Sequence, residues 1–290
     1  MQMRTILCPI DFSDLSAKEL DVAVQVGRAF VGSRLVLHHN RAAIAPAMAR
    51  KWDWESTHAA DGYTEAEAER RMKGVLNGLP SDVRAEGVVS TGPVGMLVLS
   101  IAEQLPADLV VLGSHGWSTP DHASVAERVV AQAPCPVLTF NDGTDAAARF
   151  RLEGGGEPID VVVPTDFSST AQHAFAYACE MARTLPLRLQ LVHVLGAGHG
   201  QTVDAVEAAE ARLAAVVPDD LRHRVTTKVR RGAASQEILA HLEETRPAFT
   251  VLGEHARDVI RHLFTRDTTR AVVHGARCPV WVVPARTLAA

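Results

Sequence analysis

The sequence predicts two α/β domains in tandem, each a doubly wound, five-stranded, mostly parallel sheet. Three observations carry that prediction. A set of short motifs occurs twice in the same order. Short apolar runs alternate with amphipathic stretches of helical length throughout both copies. The chain has 290 residues, enough for two ordinary domains that each bury a core.

The repeat fixes the architecture. ILCPIDFSDLS at 6–16 matches VVVPTDFSSTA at 161–171, which sets Asp11 and Asp166 155 residues apart. His38 and His193 share that offset, Gly113 and Gly253 are 140 apart, and Cys135 and Cys278 are 143 apart. The offsets change only where connections vary in length. About 15 extra residues therefore fall in the first copy, in the stretch after His39, and three are missing between Gly113 and Cys135.

In the first copy, residues 4–10 read as a strand buried on both faces. A helix follows through 29, a strand at 34–39, a helix at 64–77 and a strand at 84–89. A helix at 93–104, a strand at 108–113, a helix at 124–133 and a strand at 136–140 complete it. The second copy repeats this from 159–165 to 279–283. The domains span 1–142 and 159–290, and the segment 143–158, with its Gly-Gly-Gly and polar residues, reads as a flexible linker. Parallel sheets of this type bind ligands past the carboxyl ends of the strands, at the switch point.

Composition narrows the function. An apolar fraction of 47% with 22% charged residues is that of a globular protein. A net charge of -5 argues against a nucleic-acid partner, and the sequence has no apolar run long enough for a membrane span. The beginning of the chain does not read as a signal peptide, because aspartate closes its short apolar run. Cys8, Cys135, Cys179 and Cys278 lack paired metal or redox spacing and read as buried free thiols in a reducing cytosol.

The series ILCPIDFSDLS, LVLHH, DLVVLGSHG and SVAERVVAQAPCPVL resembles the universal stress protein family, twice over nearly the whole chain. The resemblance implies a cytoplasmic protein with a Rossmann-like fold akin to the adenine nucleotide alpha hydrolases. Its implied role is non-catalytic binding or sensing in a stress response, with ATP or another adenine nucleotide as the candidate ligand. The ligand residues it implies are Pro9, Asp11, His39, Gly113, His115, Gly116 and Ser124 in the first copy. In the second they are Pro164, Asp166, Val194, Gly253 and His255. In family members that bind ATP, a glycine loop holds the phosphates. Neither copy keeps that loop whole. Only six residues, Trp117 to His122, separate Gly116 from Ala123-Ser124, where the family has nine before Gly-Ser. In the second copy Ala256 replaces the second glycine and Arg266-Asp267 replaces Gly-Ser. ATP is therefore expected to bind the second cleft poorly, with Asp267 capping the following helix in place of a phosphate.

Plainer readings stand beside these. Asp11 and Asp166 suit helix N-caps, and Ser124 with Glu127 forms a capping box. His38 and His193 are by default core or rim histidines. His38, His39, His115 and His122, with Asp11 or Asp121, are the candidate zinc ligands, and their spacing is not diagnostic, so no metal is expected. Trp52 and Trp54 read as exposed or interface aromatics. No nucleophile elbow or lysine-type phosphate loop is present, so no catalytic residues are assigned. An interaction scaffold with vestigial clefts and a slow ATPase are the alternative functions. The apolar last strands, 137–140 and 280–283, are expected to pair antiparallel, within one chain or between two, and a homodimer is the expected further assembly.

Overall fold

The computed structural model describes residues 1–41, 64–91, 94–114, 125–141, 145–152, 157–196, 202–254 and 266–285. The first half runs β1 (Thr5–Ile10), α1 (Asp14–Ala29), β2 (Arg34–Asn40), α2 (Glu65–Gly78) and β3 (Ala85–Ser90). It continues with α3 (Val94–Gln104), β4 (Leu109–Ser114), α4 (Val125–Gln132) and β5 (Val137–Asn141). A short helix, α5 (Ala146–Arg149), leads to the second half: β6 (Ile159–Thr165), α6 (Ser169–Thr184), β7 (Leu187–Leu195), α7 (Val203–Val216) and β8 (Val225–Arg231). Then come α8 (Ala234–Thr245), β9 (Phe249–Glu254), α9 (Arg266–Gly275) and β10 (Val280–Pro284).

One ten-stranded sheet runs through both halves, in the order β3-β2-β1-β4-β5-β10-β9-β6-β7-β8. Each half is a parallel five-stranded unit with the same strand order, as the repeat predicts. The strand pairs are parallel except β5 with β10, which run antiparallel. The central strands are apolar on both faces because helices cover both. Leu15, Val22 and Val26 of α1, Met72 of α2 and Leu213 of α7 pack in one core layer with Leu138 and Trp281. Val98 of α3, Val129 of α4, Ile238 of α8 and Val272 of α9 pack in the other with Val137 and Val280. Each layer is continuous across the two halves.

Two sequence readings need correction here. The segment read as a flexible linker carries α5, and Ala146, Phe150 and Leu152 are buried in the first core layer. Phe150 reaches across to Phe249 of β9, ring centroids 5.8 Å apart, so burial of two large apolar side chains docks this part of the connection. The histidine pairing also shifts by one. In register with the ends of β1 and β6 stand His39 (opposite Ile10) and His193 (opposite Thr165). His39, not His38, is therefore the counterpart of His193, and Val194 corresponds to Asn40. The turn before β7 is one residue shorter than the turn before β2, and the ladder absorbs the difference. The extra stretch after His39, with Trp52 and Trp54, lies outside the described residues.

Candidate functional site

At the end of β1 the chain turns into α1 through Asp11 and Phe12, and Phe12 has φ 64°. The second half repeats this, with Phe167 at φ 62°. A bulky side chain in the left-handed region costs about 1–3 kcal/mol and persists only where the surroundings hold it. Several bonds hold it here. Asp11 Oδ1 accepts from the Ser13 N–H at 2.9 Å, and Asp166 Oδ1 accepts from the Ser168 N–H at the same distance. Ser13 and Ser168 then cap their helices, accepting from the N–H groups of Ser16 and Ala171. The aspartates are thus not the N-caps that the sequence suggested. Each closes a turn two residues long that aims the true cap. In the first half Ser16 tightens the knot: its Oγ accepts from the Asp11 N–H and donates to Asp11 Oδ1.

Each left-handed phenylalanine lies against a histidine. Phe12 and His39 have ring centroids 4.3 Å apart, and Phe167 and His193 4.7 Å apart. His39 Nδ1 donates to the Ile10 carbonyl at 2.9 Å and His193 Nδ1 to the Thr165 carbonyl at 2.8 Å. A carbonyl can only accept, so Nδ1 carries the hydrogen in both rings. Strand end, aspartate turn, aromatic ring and imidazole form one unit, present twice.

The floor of the two clefts differs. In the first, Glu19 of α1 is buried and its Oε1 accepts from the Gly113 N–H at 2.5 Å. Burial and the charge of Glu19 hold the Cys8 thiol well above its ordinary range. In the second half the position of Glu19 is taken by Ala174. Instead a cation lies over the second unit: the Arg212 guanidinium of α7 sits 4.0 Å from the centre of the Phe167 ring. Burial, with help from Arg212, lowers the pKa of His193, against the opposing effects of Thr165 and Asp166. The glycines are close-packing positions. A Cβ on Gly113 would stand 2.4 Å from Leu15 Cδ1, and one on Gly253 2.4 Å from the Thr170 carbonyl oxygen.

Of the sequence-predicted site residues, Pro9, Asp11, His39 and Gly113 gather at the carboxyl ends of β1, β2 and β4. Pro164, Asp166, Val194 and Gly253 gather at those of β6, β7 and β9. His115, Gly116, Ser124 and His255 lie outside the described residues, as do Asp121, His122 and Ala256. Helix α9 is described from Arg266 onward, and the side chain of Asp267, expected to cap it, lies outside the described residues. A shared metal at His38 and His39 is ruled out by the pleat, because neighbouring strand residues point to opposite faces. His38 Nε2 meets Ser90 Oγ at 2.6 Å, and burial, then the neighbouring His39, pushes its pKa down to about 4. Among the described residues no cluster of metal-ligating side chains forms. None of the described helices is long and apolar enough to cross a membrane.

The sequence reading missed Glu19, Arg212 and the paired phenylalanines. Glu19 falls on the apolar stripe Leu15–Val22–Val26 of α1, a charged residue at a core position, and could have been found there. The phenylalanines are visible as Asp-Phe-Ser in both copies. Arg212, one exposed arginine on a helix, carried no signal.

Comparison with known proteins agrees with the duplicated architecture. The model of the universal stress protein family matches residues 3–141 and again 160–284. A universal stress protein of Bacillus subtilis is 28% identical over 141 residues, covering 46% of this chain and 95% of its own. One from Thermus aquaticus is 29% identical over 138 residues, covering 47% and 96%. Among solved structures, a universal stress protein from Archaeoglobus fulgidus aligns with TM-score 0.68 at 18% identity, over 98% of this chain and all of its own. A functionally unassigned protein of Pseudomonas aeruginosa aligns with TM-score 0.61 at 16% identity, over 98% and 93%. At these identities the structural likeness speaks for the fold.

Proposed function

This chain belongs to the universal stress protein family, and from that premise we propose that it is a non-catalytic binding module of a stress response. Its strand-end clefts take a nucleoside-type ligand while gripping a triphosphate weakly. The observation that carries this reading is Glu19 on the Gly113 amide. A phosphate at the end of a strand is held by backbone N–H groups and by the positive end of the next helix. Here the amide at the end of β4 is already bonded to a buried carboxylate. An incoming phosphate would lose that donor and meet a negative charge next to it. In the second cleft the expected weakness rests on the sequence, where Ala256 and Arg266-Asp267 stand in place of the small residues that let backbone N–H groups close on a phosphate.

The absence of a catalytic role rests on the same geometry. Among the described residues the imidazoles at the two clefts are His39 and His193, and each holds a backbone carbonyl through Nδ1 and lies against a phenylalanine ring. That arrangement fixes the imidazole as part of the wall.

Thermal shift and calorimetry on the full chain with adenosine, AMP and ATP test the proposal, since a ligand that binds only the native state raises apparent stability. Adenosine or AMP is expected to shift the transition at least as much as ATP does. Glu19→Ala, which gives the first half the residue of the second, is expected to tighten ATP binding by about tenfold, corresponding to ~1.4 kcal/mol. Micromolar ATP binding by the unaltered chain refutes the proposal. No shift with any of the three turns the reading toward an interaction scaffold.

A further inference from the structure

The strands β5 and β10 meet with Leu138 opposite Trp281, Val137 opposite Val282 and Thr139 opposite Val280. Aligned on Cys135 and Cys278, Leu138 and Trp281 are the same position in the two copies. A pseudo-two-fold axis therefore passes between them. In a true two-fold pair of identical domains, a residue on the axis meets itself. Here it meets a different residue, on both faces of the sheet.

On one face the difference is size. Leu138 and Trp281 are both 0% exposed. Trp281 fills its side against Phe249 and Tyr177, at ring-centroid distances of 5.7 and 6.2 Å. The matching positions in the first half hold the smaller Leu109 and Val22. On the other face the difference is charge. Glu127 of α4 and Arg270 of α9 are again one position in the two copies, and they form an ion pair across the axis at 3.1 Å. Glu127 is only 12% exposed there. His274 of α9 approaches the same carboxylate at 3.7 Å, and its backbone carbonyl accepts from Asn141 of β5.

Like-with-like pairing would lose both matches. Two first halves would set two leucines in a space that one leucine and one tryptophan fill, with two glutamates facing each other. Two second halves would set tryptophan against tryptophan and arginine against arginine. Voids, overpacking and facing like charges are each destabilising, and a specific interface commonly works by such penalties on the wrong partner.

We propose that the β5 and β10 edges have diverged into non-interchangeable partners, so that this surface accepts the other half of the chain and rejects a second copy of itself. Assembly between chains must then use another surface, or exchange whole halves so that each β5 still meets a β10.

Two swap cycles in the full-length chain test this, read by amide exchange across Val137–Asn141 and Val280–Pro284 and by the melting temperature. The charge cycle is Glu127→Arg, Arg270→Glu and the two together. The size cycle is Leu138→Trp, Trp281→Leu and the two together. Each charge single is expected to speed exchange about two- to fivefold, the range of a partly exposed pair. Each size single is expected to speed it by about tenfold or more. Each double, which restores unlike partners in reversed order, is expected to return to within about twofold of the unaltered chain. Room for the indole introduced by Leu138→Trp comes from Leu109 and Val22, which are smaller than their counterparts. If both doubles show the product of their singles, the residues act independently and the proposal fails. Should Leu138→Trp not fold, the charge cycle decides alone.

Discussion

The two clefts share one wall and differ in their floors. Both have the aspartate turn, the left-handed phenylalanine and the imidazole bonded to a strand-end carbonyl. Beneath the first lies a buried glutamate, and over the second an arginine. The shared part is what the chain uses to leave a strand and start a capped helix. The part that differs is charge, a buried glutamate bonded to the Gly113 amide in the first half and an arginine over the Phe167 ring in the second. Duplication thus kept the scaffold and released the electrostatics.

The largest expected effect that sharpens this comparison comes from the paired glycines. A Cβ on Gly253 would press on the Thr170 carbonyl, and helix backbone cannot withdraw without shifting α6. On Gly113 the same Cβ meets the Leu15 side chain, which can change rotamer. Gly253→Ala is expected to cost about 3 kcal/mol or more and Gly113→Ala about 1–2 kcal/mol, by denaturant unfolding. Equal costs would show that the two halves pack alike at this point.

A second contrast concerns acid. His38 is buried and its pKa is lowered to about 4, whereas the second half has Val192 in its place. The folded state disfavours the proton, so stability from this site is complete above the unfolded value near 6.5. It is lost as pH falls from there toward about 4, where the folded protein also protonates. The loss over that window is at most about 3 kcal/mol. His38→Val is expected to flatten that part of the stability curve, measured by urea unfolding at stepped pH. An unchanged slope would place the acid sensitivity at the other histidines that burial holds low, His274 (lowered to about 4), His193 and His241.

How much of this was legible follows the same division. The strands and helices were readable because buried parallel strands are short apolar runs and the covering helices are amphipathic, as in TILCPI followed by DLSAKELDVAVQVGRA. The histidine register was misread because offsets count residues, while the ladder sets which residues face each other. A turn one residue shorter leaves the motif intact and moves the match from His38 to His39. The cap was misread because aspartate and serine both cap helices. What separates Asp11 from Ser13 is the positive φ of Phe12 between them, a tertiary outcome. The docked connection was missed because Gly-Gly-Gly dominated the reading of 143–158 and hid the value of Phe150 and Leu152.

The smallest expected effect isolates the cation over the second cleft. Arg212 lies over the Phe167 ring, Phe167 lies against His193 with the two rings tilted by 47°, and the charge of Arg212 acts on that imidazole. Arg212 is exposed, and solvent screens most of its charge, so little change in stability is expected from Arg212→Ala, within about 1 kcal/mol. The pKa of His193 should still rise toward its ordinary value, because burial remains as the lowering influence while the repulsion goes. With the cation gone, Thr165 and Asp166 oppose burial alone. Proton titration of the ring followed by NMR reads this directly, with His39 as the internal control in a cleft that lacks the substitution. A rise at His193 with no movement at His39 supports a local charge effect. Equal movement of both, or none at His193, would mean that Arg212 acts only as packing over Phe167 and that the electrostatic difference between the clefts rests on Glu19.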